Sequence, residues 1–128
     1  MSNDYKRRRN RGRKSKGQFA QLPHALIHRM QEKLSSQAYK LLIDLFEQFN
    51  GWNNGDLTPA WCVMEKKGWR SKDTLNKARK ELLNQGFIEE TRLGSLRPRK
   101  CGLYAVTWLP IDECRGKLDV KPTKVPSG

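Results

Sequence analysis

Ser71-Lys72-Asp73-Thr74-Leu75-Asn76-Lys77-Ala78-Arg79-Lys80-Glu81-Leu82-Leu83-Asn84-Gln85-Gly86 is the stretch whose reading decides the fold. Ser71 suits an N-cap, since its hydroxyl can accept from the free N–H groups of a first helical turn. Gly86 suits the position just past a helix end, where a left-handed residue closes the chain. Between them Leu75, Ala78 and Leu82 recur at helical spacing, and Leu83 widens the stripe. The opposite face carries Asp73, Asn76, Lys77, Lys80 and Asn84, a mixture of amides and cations suited to base edges and phosphates. Arg79 falls near the apolar side of the wheel. It is expected to snorkel or to pair with an acid of a core helix, and not to read bases.

The flanking sequence turns this helix into part of a motif. Thr58-Pro59 is a start signal, a capping hydroxyl followed by proline, for a helix carrying Trp61, Cys62, Val63 and Met64 that stops near Gly68. Gly68-Trp69-Arg70-Ser71 then forms a short turn, so the two helices make a helix-turn-helix arrangement. Phe87 to Leu93 reads as a strand, Gly94 to Lys100 as a turn rich in cations, and Cys101 to Leu109 as a second strand with Tyr104, Val106 and Trp108 on one face. This order predicts an α+β, mainly α fold: a winged helix-turn-helix with an extra N-terminal helix and a two-stranded β-wing.

Upstream, Pro23 opens a short helix to about Met30 that packs through Leu26, Ile27 and Met30. Leu34-Ser35-Ser36 caps a stronger helix to about Phe49, with Ala38, Tyr39, Leu42, Ile43, Leu45, Phe46 and Phe49 as a broad core-facing stripe. Residues 50–55 are a dense turn cluster, and Asp56-Leu57 a very short strand. The domain is expected to span residues 19–114, with Ile111-Asp112-Glu113-Cys114 packing back on it. Residues 115–128 are expected as an extended or mobile tail.

Charge narrows the function. The chain has 128 residues, 26 Lys+Arg against 13 Asp+Glu, and a net charge of +13. Residues 1–18 hold eight of those cations (Lys6, Arg7, Arg8, Arg9, Arg11, Arg13, Lys14, Lys16) against Asp4 alone. Apart from Met1, Tyr5 is the one large apolar group there, so a disordered basic arm is expected, able to track phosphates or enter a minor groove. Such an excess points to a polyanionic partner, with nucleic acid ahead of an anionic membrane surface. No apolar run reaches the roughly 20 residues of a spanning helix, and no signal-peptide pattern is visible, so a cytoplasmic, nucleoid-associated protein is expected.

Catalysis finds little support. Cys62, Cys101 and Cys114 are widely spaced and form neither a disulfide framework nor a zinc spacing. His24 and His28 are an i,i+4 pair without a nearby acidic or thiol ligand, so no metal is assigned. Glu89 and Glu90 are neighbours on a strand and point to opposite faces. Neither a nucleophile–base arrangement nor a phosphate-binding loop appears. A non-enzymatic protein without cofactor or small-molecule ligand is expected.

Leu57-Thr58-Pro59 through Trp108, with Ser71, Thr74-Leu75, Ala78, Leu82-Leu83 and Gly86-Phe87-Ile88, resembles the DNA-binding half of bacterial winged-helix regulators. More closely, four segments are similar to small basic proteins carried by phages, plasmids and integrated elements of bacteria. They are Phe19 to His24, Asn54 to Leu57, Gly68 to Lys72, and Ile111 to Cys114 with Gly116 to Asp119. The resemblance covers about residues 19–119 and implies a winged helix in a mobile-element setting. Those regulators carry a separate dimerisation or effector domain, for which little chain follows Trp108. Ligand sensing is therefore not expected, and any homodimer would form through the N-terminal helices or on DNA.

The partner expected is double-stranded DNA. On the recognition helix Ser71, Lys72, Asp73, Asn76, Lys77 and Lys80 are the candidate contacts. Asn76 and Lys77 would touch base edges, while Lys72 and Lys80 would anchor phosphates. Asp73 could accept from a cytosine or simply serve the helix dipole. Arg70 in the turn and Arg92, Arg97, Arg99 and Lys100 in the wing would reach the backbone or a minor groove, as would Arg7, Arg8, Arg9, Arg11, Arg13, Lys14 and Lys16 in the arm. The uses left open are a transcriptional regulator, a replication initiator or accessory origin-binding protein, and an inhibitor that grips RNA or a nucleoprotein.

Overall fold

The computed structural model describes residues 19, 21–96 and 99–123, and of Arg99 the backbone alone. The candidate arm residues 7–16 and Arg97 lie outside the described residues. The architecture is α+β and mainly helical. Helices α1 (His24–Lys33), α2 (Ser36–Phe46) and α3 (Trp61–Met64) are followed by a 3-10 turn (Glu65–Lys67) and by α4 (Lys72–Asn84). Strands β1 (Ile88–Arg92), β2 (Ser95–Leu96), β3 (Arg99–Lys100) and β4 (Leu103–Val106) come next.

Helix α2 is the core helix, as its apolar content dictates. Ala38, Leu41, Leu42 and Leu45 are fully buried and Phe46 nearly so. Two details differ from the expected stripe. Leu41 is inside and Ile43 is out, because the buried arc is centred between Ala38 and Leu45 and Ile43 falls at its edge. The helix also ends at Phe46, not Phe49, and Phe49 stacks on Phe46 with ring centroids 5.4 Å apart. Its N-terminus is closed from outside the helix: the Ser35 backbone N–H and hydroxyl donate to the two Glu81 carboxylate oxygens, each at 2.7 Å. The Ser35 Oγ accepts from the Ala38 N–H at 3.3 Å. Glu81 belongs to α4, so one carboxylate caps the core helix and fixes the outer helix to it.

The turn between α3 and α4 is fastened to the same core. Gly68 ends the 3-10 turn at φ 99°, a left-handed conformation that a side chain would strain. Trp69 is buried, and its indole N–H donates to Asp44 Oδ2 at 2.8 Å. Lys40 donates to the same oxygen at 2.8 Å and to the Lys67 carbonyl at 2.9 Å. Trp69 is thus a core residue although it lies in the turn. Thr58-Pro59 does not start α3 directly. The Thr58 hydroxyl accepts from the Ala60 N–H at 3.2 Å, and the helix begins at Trp61.

Strand β1 pairs antiparallel with β4, with an irregularity between Glu90 and Arg92. That irregularity turns Thr91 inward, where its hydroxyl donates to the Gly55 carbonyl at 2.6 Å. The short hairpin pair β2–β3 extends beyond them, with Ser95 opposite Lys100. Leu57 bridges Tyr104 through two backbone bonds of 3.1 and 2.8 Å, which is the very short strand read at residues 56–57. The expected second strand is shorter than residues 101–109, and every residue of β4 is buried. Tyr104 and Val106 join the main core, while Leu103 and Ala105 are buried on the other face.

Loop 50–55 supplies the main polar anchor. The Asn54 side chain is fully buried; its amide N–H2 donates to the carbonyls of Val106, Leu109 and Pro110 at 3.1, 3.1 and 2.9 Å. Its Oδ1 accepts from the Val106 N–H at 2.9 Å. Residues 115–123, expected as a loose tail, are tied to the domain. The Asp119 N–H donates to the Thr91 carbonyl at 2.8 Å, the Leu93 N–H to Asp119 Oδ2 at 3.1 Å, and the Thr123 N–H to the Ile111 carbonyl at 2.9 Å.

Replacing Asn54 by Ala removes the side-chain partner of three carbonyls and an N–H at a fully buried position. Asn54→Ala is expected to destabilise the domain by about 3 kcal/mol in urea unfolding, whereas Asn53→Ala is expected to cost clearly less.

Candidate nucleic-acid interface

Helix α4 is built as its sequence dictates at both ends. The Ser71 Oγ accepts from the Thr74 N–H at 3.2 Å, so Ser71 is the N-cap, and its O–H donor is not used by that bond. At the other end the Gly86 N–H donates to the Leu83 carbonyl at 3.1 Å and the Phe87 N–H to the Leu82 carbonyl at 3.0 Å. With Gly86 at φ 79° this is the Schellman closure, and the buried pair Leu82 and Phe87 completes it. Leu75, Ala78 and Leu82 are buried where α4 packs on α2. Ser71, Lys72, Asp73, Asn76, Lys77 and Lys80 are all exposed, a continuous outward face.

Their local contacts are weak enough to exchange for a ligand, with one exception. Lys77 pairs with Asp73 at 3.2 Å with both side chains about three-quarters exposed, so the pair contributes little and either charge is free to rearrange. The Lys72 ammonium lies 5.9 Å from the centre of the Trp61 ring. The exception is Asn76, whose Oδ1 accepts two bonds from Arg79, at 3.2 Å from Nε and 2.6 Å from Nη2. Arg79 also donates from Nη1 to Tyr104 Oη at 3.0 Å. The half-exposed Arg79 guanidinium thus bridges Asn76 of the outer face to Tyr104. Its partners are Asn76 and Tyr104, and not an acid of the core helix.

Burial pushes the Tyr104 hydroxyl above the usual phenol range; Arg79 opposes this and Glu90 adds to it. The hydroxyl stays protonated at neutral pH and lies 3.4 Å from Glu90 Oε2, to which it donates. A cleft of about 330 Å³ runs here between the start of α3, the face of α4 and the root of the wing, with Trp61, Asn76, Arg79 and Tyr104 among its walls.

In the turn and wing, Arg70 and Lys100 are exposed. Arg92 has a partner within the hairpin. Its Nε and Nη2 both donate to the Cys101 carbonyl, at 3.2 and 2.8 Å, so this guanidinium braces the base of the hairpin. Arg99 lies in β3 opposite Leu96, which is 85 % exposed.

A second cleft, about 740 Å³ and mainly apolar, lies between Phe19, Leu22, Phe46, Phe49, Trp108 and Leu109. Among the described residues no group of three or more His, Cys, Asp or Glu could hold a metal ion, and no helix is long and apolar enough to cross a membrane. Burial raises the Cys114 thiol above its ordinary range, reinforced by the carboxylates of Asp56 and Asp112. Comparison of the chain with protein-family models, curated proteins and solved structures returned no match.

Ser71→Ala is expected to lower stability by about 1 kcal/mol and to raise amide exchange over residues 72–75, read by hydrogen exchange. Iodoacetamide at mildly alkaline pH is expected to modify Cys114 more slowly than the exposed Cys62 and Cys101, read by mass spectrometry of peptides.

Proposed function

We propose that this chain is a sequence-specific double-stranded DNA-binding protein with a winged helix-turn-helix domain, and that it serves as a transcriptional regulator of a bacterial mobile element. Helix α4 is the recognition helix and enters the major groove, with α3 and the Gly68–Ser71 turn setting its angle. Lys72, Lys77 and Lys80 meet phosphates or base edges, and Asn76 meets a base edge. Arg70, Lys100, Arg97 and Arg99 reach the backbone on either side, and the basic arm adds sequence-independent attraction. The role is one of binding and not of catalysis, in the bacterial cytoplasm.

The observation that carries this reading is the division of α4 itself. One face is locked to the core helix by Leu75, Ala78, Leu82 and Glu81, while the other presents cations and an amide beside a cationic hairpin. A rigid, capped helix with its polar face outward is what base readout requires. The resemblance of residues 19–119 to small mobile-element proteins supports the biological setting.

The test is the salt dependence of binding to a labelled duplex. Neutralising about six to ten phosphates gives a slope of log affinity on log salt of about −5 to −9. Removing residues 1–18 is expected to weaken binding to every duplex and to flatten the slope. Asn76→Ala is expected to leave the slope nearly unchanged and to relax preference at one base position. A slope near zero, or tighter binding to single-stranded RNA than to duplex, contradicts the reading. Among specific sites, an inverted repeat fits a dimeric regulator, while tandem direct repeats point instead to origin binding.

A further inference from the structure

Arg79 is not itself a base reader, yet it determines what its neighbour can read. The Arg79 guanidinium has donors only, so the amide it grips must turn its oxygen toward it; the orientation of Asn76 follows from that chemistry. Asn76 Oδ1 is thereby occupied twice, and the –NH2 remains as the group available to a ligand. The grip is itself held from behind. Nη1 of Arg79 is anchored on the Tyr104 hydroxyl, that hydroxyl donates to Glu90, and the Tyr104 ring is buried in the core beneath the wing.

We infer that Asn76 is locked by Arg79 as a hydrogen-bond donor alone, so that the recognition helix favours a base edge offering acceptors, guanine O6 and N7 or thymine O4, and disfavours adenine. The inference rests on the DNA-binding reading above and narrows it. An asparagine normally selects adenine by accepting from N6 while donating to N7. Here the accepting half of that pair is spent inside the protein. An adenine would bring its own N6–H2 donor against the Asn76 –NH2, whereas guanine presents two acceptors to it. Releasing Oδ1 would break two charge-assisted bonds to a guanidinium that the Tyr104 hydroxyl holds in place.

Two experiments test this on the full chain. In the DNA-free protein, the Arg79 Nε–H resonance is expected to be protected from solvent exchange and to lose protection in Asn76→Ala. An unprotected Nε–H in the parent protein overturns the inference while leaving DNA binding intact. In selection from a random duplex library, the parent motif is expected to contain a guanine or thymine position that becomes degenerate in Asn76→Ala. In Arg79→Met the same position is expected to shift toward adenine by roughly tenfold or more. An adenine at the Asn76-dependent position of the parent motif overturns the inference, and so does an unchanged preference in a folded Arg79→Met. If Arg79→Met does not fold, Tyr104→Phe removes only the hydroxyl that holds Nη1 and is expected to reduce both the Nε–H protection and the discrimination against adenine; no change in either overturns the proposal. Absence of any motif in the parent protein overturns the DNA-specificity reading and this inference with it.

Discussion

Four hydrogen bonds from one buried amide hold the end of β4 in place. Asn54 satisfies the Val106 N–H and the carbonyls of Val106, Leu109 and Pro110 from a fully buried position. An apolar side chain at this position would take that partner from each of these groups, at a cost in low dielectric. Through β4 this constraint reaches the surface. Tyr104 lies two residues before Val106, its hydroxyl receives Arg79, and Arg79 holds Asn76. The Asn76 amide is thus tied to the core through Arg79 of its own helix, then across to Tyr104 of β4, and along that strand to the Asn54 anchor.

A second set of bonds fixes the helix that carries it. Glu81 from α4 closes the N-terminus of α2, and Trp69 in the preceding turn is anchored on Asp44 of α2. The turn and α4 are therefore clamped to one helix at two points. The apolar stripe of α4 sets its rotation, and these polar contacts set its position along the core. Such pre-organisation limits the side-chain and backbone ordering that binding would otherwise cost.

Much of this is legible in sequence wherever the cause is local. The N-cap Ser71, the glycine closure at Gly86 and the stripe Leu75, Ala78 and Leu82 depend on residues within a few positions of one another, and helix α4 has the ends that they specify. Contacts between distant elements are not legible in the same way. Asn54 sits among Asn50, Gly51, Asn53 and Gly55 and reads as one more turn residue, because its partners lie 52 to 56 positions away. The wheel placed Arg79 near the apolar side, but could not show that Tyr104 would meet it. Arg92 reads as a wing cation by composition, while the neighbouring Cys101 carbonyl claims it. Residues 115–123 have tail-like composition, yet Asp119 and Thr123 find backbone partners in the domain.

Under the DNA-binding proposal, the outer face of α4 and the β2–β3 hairpin form the surface that meets the duplex. Amide chemical-shift mapping during titration with a short duplex tests that most directly. The account predicts shifts concentrated in residues 70–80 and 95–100, with little change around the apolar cleft of Phe49 and Trp108. Shifts centred on that cleft or on α1, with residues 72–80 unmoved, would contradict it.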